Sequence, residues 1–145
     1  MKHTPLARCA ALAALLFLAC AMLDGCGRMD EPTPGARVLL DGAEWTDGPL
    51  PGDSADDLRV YVTLDGQPLI DLPFGEAHTV RIAQADGAEN EITLTGEAVY
   101  MQSANCDNQD CVNMGAVTRE NLELRVMGGF IICLPHRVSV EVRGE

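Results

Sequence analysis

The residue types best suited to chemistry lie in the C-terminal half: Cys106, Cys111, Cys133 and His136, spaced C-x4-C-x21-C-x2-H. Three readings of this set compete. A structural disulfide among Cys106, Cys111 and Cys133 would brace a small domain in an oxidising compartment. Three thiolates and an imidazole also make the ligand set of structural zinc, although the spacing is looser than a paired CxxC framework. A redox-active thiol pair is the third reading, and it is the poorest. Asp107 and Asp110 sit inside the loop, and negative charge disfavours the thiolate that attacks. Cys133 lies in the apolar run 130–134, where an inert buried thiol is common.

Other constellations fail on their neighbours. Ser103 and Ser139 have no nearby His-and-acid motif and no G-x-S-x-G elbow, and His136 follows Pro135 as a turn residue rather than a general base. Gly115, Gly128 and Gly129 precede no G-K-[ST] and form no phosphate loop. The Cys-Leu-Pro-His piece lacks the second histidine of a Rieske box, His78 being far off in the chain. No catalytic residue is assigned and no enzyme is expected. No cofactor is expected either, zinc or another metal at the Cys/His set being the alternative.

The elements that must position these residues are read from punctuation and period. Leu58, Val60, Val62 and Leu64 alternate with Arg59, Tyr61 and Thr63, the period of a half-buried strand. Asp65-Gly66 then signals a tight turn into a strand carrying Ile70 and Leu72. The pattern predicts further strands at 79–84, 91–95, 98–102, 122–127, 130–134 and 138–142, with turns at Asp86-Gly87 and Gly128-Gly129. No 3.6-residue period follows residue 26. The expected fold is all-β: a small antiparallel sandwich or partly open barrel of about seven short strands.

Upstream, Lys2, His3 and Arg8 precede an almost unbroken apolar run, 9–23. That run is short for a spanning helix but fits an export signal. Leu23-Asp24-Gly25-Cys26 resembles a lipoprotein processing site and makes Cys26 the expected lipidation residue. Phe17-Leu18-Ala19-Cys20 is the alternative, with Cys20 as acceptor. Residues 1–26 are thus read as the export signal, 27–57 as an acidic Pro/Gly-rich tether and 58–145 as the domain. Within the tether, Val38-Leu39-Leu40-Asp41-Gly42 resembles the strand and turn at 62–66 and suggests an extra hairpin. If Cys26 carries lipid, three thiols remain in the domain and one lacks an intramolecular partner.

The net charge is −12 and Lys2 is the single lysine. Without clustered cations to release counterions from a phosphate backbone, nucleic acid is excluded as a partner.

The blocks Cys106-x4-Cys111-Val-x-x-Gly115 and Ile131-x-Cys133-Leu-Pro-x-Arg137-Val138, with Val60-Tyr61-Val62-x-x-Asp65-Gly66 before them, are similar to the NusG domain II family. The likeness spans about 58–142. It implies one all-β domain outside the cytoplasm, held at the cell membrane by a short N-terminal segment. The transcription elongation factor of the same name carries such a domain only as an insertion in some bacteria, and nothing here resembles its polymerase-binding part. The expectation is therefore a non-catalytic, lipid-anchored accessory or interaction module on the extracytoplasmic side, with a membrane-protein partner. The alternative is a metal-binding or redox-linked accessory of an electron-transfer or transport system.

Overall fold

The structure is a computed structural model, which describes residues 35–46 and 57–144. Residues 1–26, read as an export signal with Cys20 and Cys26, and most of the stretch 27–57 read as a tether lie outside the described residues. Ten strands and one helical turn are described: β1 (Arg37–Leu40), β2 (Ala43–Glu44), β3 (Leu58–Leu64), β4 (Gln67–Pro73), β5 (Ala77–Ala83), β6 (Glu89–Thr95), β7 (Ala98–Ala104), α1 (Asp110–Asn113), β8 (Val117–Thr118), β9 (Phe130–Cys133) and β10 (Val138–Gly144). They form two antiparallel sheets, ordered β2-β1-β5-β6-β7-β8 and β4-β3-β10-β9. Neither sheet closes into a barrel.

Alternation decides which side chains meet. Val60, Val62 and Leu64 of β3 and Val138, Val140 and Val142 of β10 are buried, as are Val80 and Ile82 of β5 and Ile92 and Leu94 of β6. These residues of both sheets make one core cluster. Asp-Gly pairs close two of the hairpins: Asp41-Gly42 and Asp65-Gly66 hold positive φ at both residues, the backbone that matches strand twist in a two-residue turn. The β1–β2 hairpin therefore exists inside the stretch read mainly as tether. Its β1 pairs with β5, Val38 opposite Ile82, and Val38 joins the core.

Two expectations change. The stretch 122–127 alternates like a strand but forms successive turns. Its polar residues satisfy backbone groups locally: Asn121 Oδ1 accepts from Thr118 N at 2.9 Å and its Nδ2 donates to the Ala116 carbonyl at 3.0 Å. Arg125 Nη1 donates to the Met114 and Ala116 carbonyls at 3.1 and 2.9 Å. These bonds tie the segment to 114–118, and its own amides at Leu122, Leu124 and Arg125 donate to the Thr118 and Asn121 carbonyls, so they are not offered to a ladder. At the end of this segment a Cβ on Gly129 would collide with the Val142 carbonyl oxygen, so the chain enters β9 through a backbone contact only glycine allows. The second change is α1, one helical turn where no helix was expected; four residues are too few to display a period.

Candidate functional site: a buried group of three thiols

Cys106, Cys111 and Cys133 arrive from different elements. On β7, Val99 and Met101 point into the core. Between Glu91/Ile92 of β6 and β7 the register shifts, so that Ile92 faces Met101 but Glu91 faces Ser103. This bulge leaves Gln102 as the extra residue and reverses the inward parity. Even positions then turn inward: Ala104 packs on the core and Cys106 is buried. Strict alternation continued from Met101 through Gln102, with no bulge, would instead place Cys106 toward solvent.

The chain next turns at Gln109, whose φ of 54° is left-handed. Its side chain holds the turn by donating to the Ala104 carbonyl at 2.7 Å. That turn starts α1, which buries Cys111. Cys133 ends β9 on the inward parity it shares with Ile131, opposite Val138 of β10. All three sulfur atoms lie within 4.8 Å of one another, and Cys106 Sγ is 3.8 Å from Cys111 Sγ. Their residues are 5%, 1% and 1% exposed.

The three cysteines are free thiols in this structure. Burial pushes the Cys111 thiol up to about 12, reinforced by hydrogen bonds and charge interaction with Cys133 and then Cys106. The direction agrees with the sequence expectation, but the cause differs, being burial and neighbouring sulfur rather than Asp107 and Asp110. Nucleophilic exchange needs the thiolate, and this environment holds Cys111 protonated.

His136, the proposed fourth member, is outside this sulfur group. Pro135 and the left-handed Arg137 (φ 58°) shape the β9–β10 turn, closed by Arg137 N donating to the Leu134 carbonyl at 3.2 Å. The turn carries the His136 ring to β6, where Nδ1 lies 2.8 Å from Asn90 Oδ1. A carbonyl oxygen only accepts, so Nδ1 carries the hydrogen. Gln84 Nε2 donates to the His136 carbonyl at 2.8 Å. Of the Cys₃His set that spacing offered as a zinc alternative, the structure gathers the three sulfurs and leaves His136 outside them, its Nδ1 on Asn90. Neither Asn90 nor Gln109 was legible as a site residue, since the bulge and the left-handed turn that aim them leave no motif.

The family model for NusG domain II matches residues 50–145. Among solved structures, this fold is similar to the Lin0431 protein from Listeria innocua, with 23% identity and a TM-score of 0.52, over 61% of this chain and 98% of that one. A DUF1312 family protein from Enterococcus faecalis gives 21% identity and a TM-score of 0.53, also over 61% and 98%. One from Ruminococcus gnavus is 31% identical over 60% of this chain and 99% of that one, with a TM-score of 0.47. No curated protein matches the chain.

Proposed function

Since the chain belongs to the NusG domain II family, we propose that it is a non-catalytic accessory module, anchored by an N-terminal lipid at the extracytoplasmic face of the cell membrane, that engages a membrane-protein partner. The observation that carries the interaction is the flanking of β9, an edge strand of its sheet. Leu124 and Val126 before it are 83% and 102% exposed, and Leu134 directly after it is 79% exposed. Single exposed apolar residues are ordinary, whereas several bracketing one sheet edge suit a contact surface. The positive start, apolar run and Cys26 of the leader support the anchor.

Intact mass of the native membrane form, before and after reduction, tests the anchor: a diacylglyceryl increment on Cys26, or on Cys20, supports it, and an unmodified mature chain rejects it. For the interaction, a photo-crosslinking residue at Val126 should give a discrete membrane-protein adduct that Leu124→Asp abolishes. A turnover activity recovered from the purified domain would overturn the non-catalytic reading.

The convergence of three sulfurs within 4.8 Å favours a second reading. In it the module is a metal-binding or redox-linked accessory of an extracytoplasmic electron-transfer or transport system.

A further inference from the structure

We propose that Cys106, Cys111 and Cys133 bind one soft, singly charged d10 cation, Cu(I), in a three-sulfur site. This deepens the metal-binding reading above and rests on it, adding the ligand set and the class of ion. The donor chemistry points that way first. The group within 4.8 Å contains sulfur alone, and thiolates select Cu(I) and zinc among biological cations. Coordination number then separates the two. Structural zinc almost always takes four protein ligands, and among the described residues no histidine or carboxylate joins the three sulfurs within 4.8 Å. His136 reaches Asn90 instead, and Asp110 Oδ2 accepts from Asn108 Nδ2 at 2.7 Å.

Size is consistent with three-fold coordination. Metal–sulfur bonds of about 2.3 Å, arranged as a flat triangle, place the sulfurs roughly 4 Å apart. The Cys106–Cys111 separation is 3.8 Å, and the third sulfur needs to move by less than an ångström or so to join the triangle. A cleft of about 30 Å³ reaches two of the three, lined by Asn108, Asp110, Cys111, Ile132, Cys133 and Pro135 among others. That is room for a water-sized or ion-sized occupant and for nothing larger, so an ion can reach the sulfurs where a bulky disulfide reagent cannot. Each copper–sulfur bond forms as its thiol releases a proton to solvent. Three bonds release three protons, and no atom changes oxidation state.

The full chain, reduced and kept anaerobic, is titrated with Cu(I) against a chromophoric copper chelator, and X-ray absorption counts the neighbours of the bound ion. The expected result is one equivalent of copper, three sulfur neighbours and three protons released. Cys111→Ser should weaken binding by roughly a hundredfold or more, since even outer-shell losses cost up to that, and His136→Gln should leave it unchanged. If Cys111→Ser fails to fold, Cys106→Ser and Cys133→Ser replace it, while the wild-type stoichiometry and sulfur count remain decisive by themselves. A nitrogen neighbour, two sulfurs only, or no uptake overturns the three-sulfur copper site. Retention of zinc in place of copper overturns it too but leaves the metal-binding reading standing. A reduced protein that takes up neither metal, and whose native form carries a disulfide within the group, ends both.

Discussion

His136 Nδ1 donates to Asn90 Oδ1 across 2.8 Å, joining the β9–β10 turn of one sheet to β6 of the other. Both residues are buried, so the bond is made where water cannot replace it. His136→Ala should therefore destabilise the domain by about 1–3 kcal/mol, the cost of a buried amide left unsatisfied. Asn90→Leu in the His136→Ala background should recover part of that loss. Urea unfolding of the four proteins of this cycle gives the coupling, and strictly additive effects would refute it.

Arg59 is almost fully buried on β3 and its Nε lies 2.6 Å from Asp71 Oδ1 on β4. Removing the carboxylate takes a close charge partner from a buried guanidinium, so Asp71→Ala should cost about 1.5–3 kcal/mol. The exposed Arg37–Glu44 pair at 3.3 Å should contribute less than about 1 kcal/mol when Glu44→Ala is made. Equal effects in chemical denaturation would contradict this ranking.

Stability should fall at both ends of the pH scale for different reasons. Burial raises the Asp41 carboxyl, but this is outweighed by its hydrogen bond to His78, the bond from Thr79 N and the His78 charge, leaving it below its ordinary 3.8. A depressed acid contributes stability above its unfolded value that is lost as pH falls through the folded one. Denaturation midpoints taken downward from pH 6 should decline less steeply for Asp41→Asn than for wild type.

Cys111 acts in the opposite direction. Its thiol, raised from 9.0 to about 12, contributes stability below pH 9 that disappears as pH rises toward the folded value. The reduced protein should weaken above pH 9, and Cys111→Ala should flatten that decline. An unchanged slope in the variant would remove Cys111 as the cause.

Deleting Gln102 removes the extra residue of the β6–β7 bulge and makes β7 a regular strand in which Met101, Ala104 and Cys106 share the inner face. The folded deletion protein should therefore protect Cys106 from alkylation without denaturant, as the wild type does. Alkylation of Cys106 in the folded deletion protein would mean that the bulge does more than set parity.

The strands with two-residue alternation were legible: Val60, Val62 and Leu64 share one buried face, as do Val138, Val140 and Val142, with Arg59 the buried exception on the other side, and Asp65-Gly66 adopts the turn its residue types demand. Leu122, Leu124 and Val126 show the same alternation without the strand, because the amides of Leu122, Leu124 and Arg125 turn back onto the Thr118 and Asn121 carbonyls instead of facing a ladder. The cysteines were legible as a group, since their spacing is a property of the chain. The departure of His136 was not. It depends on a turn beginning at Pro135 and on an asparagine 46 positions away, a pairing that only the register of two sheets creates.

Among the described residues the larger sheet ends on both sides in strands of two residues, β2 and β8. An edge so short offers an incoming chain almost no row of unpaired amides and carbonyls on which to grow. Growth on those two strands is thereby disfavoured, and addition of a further strand is left to the longer borders of the smaller sheet, β4 and β9.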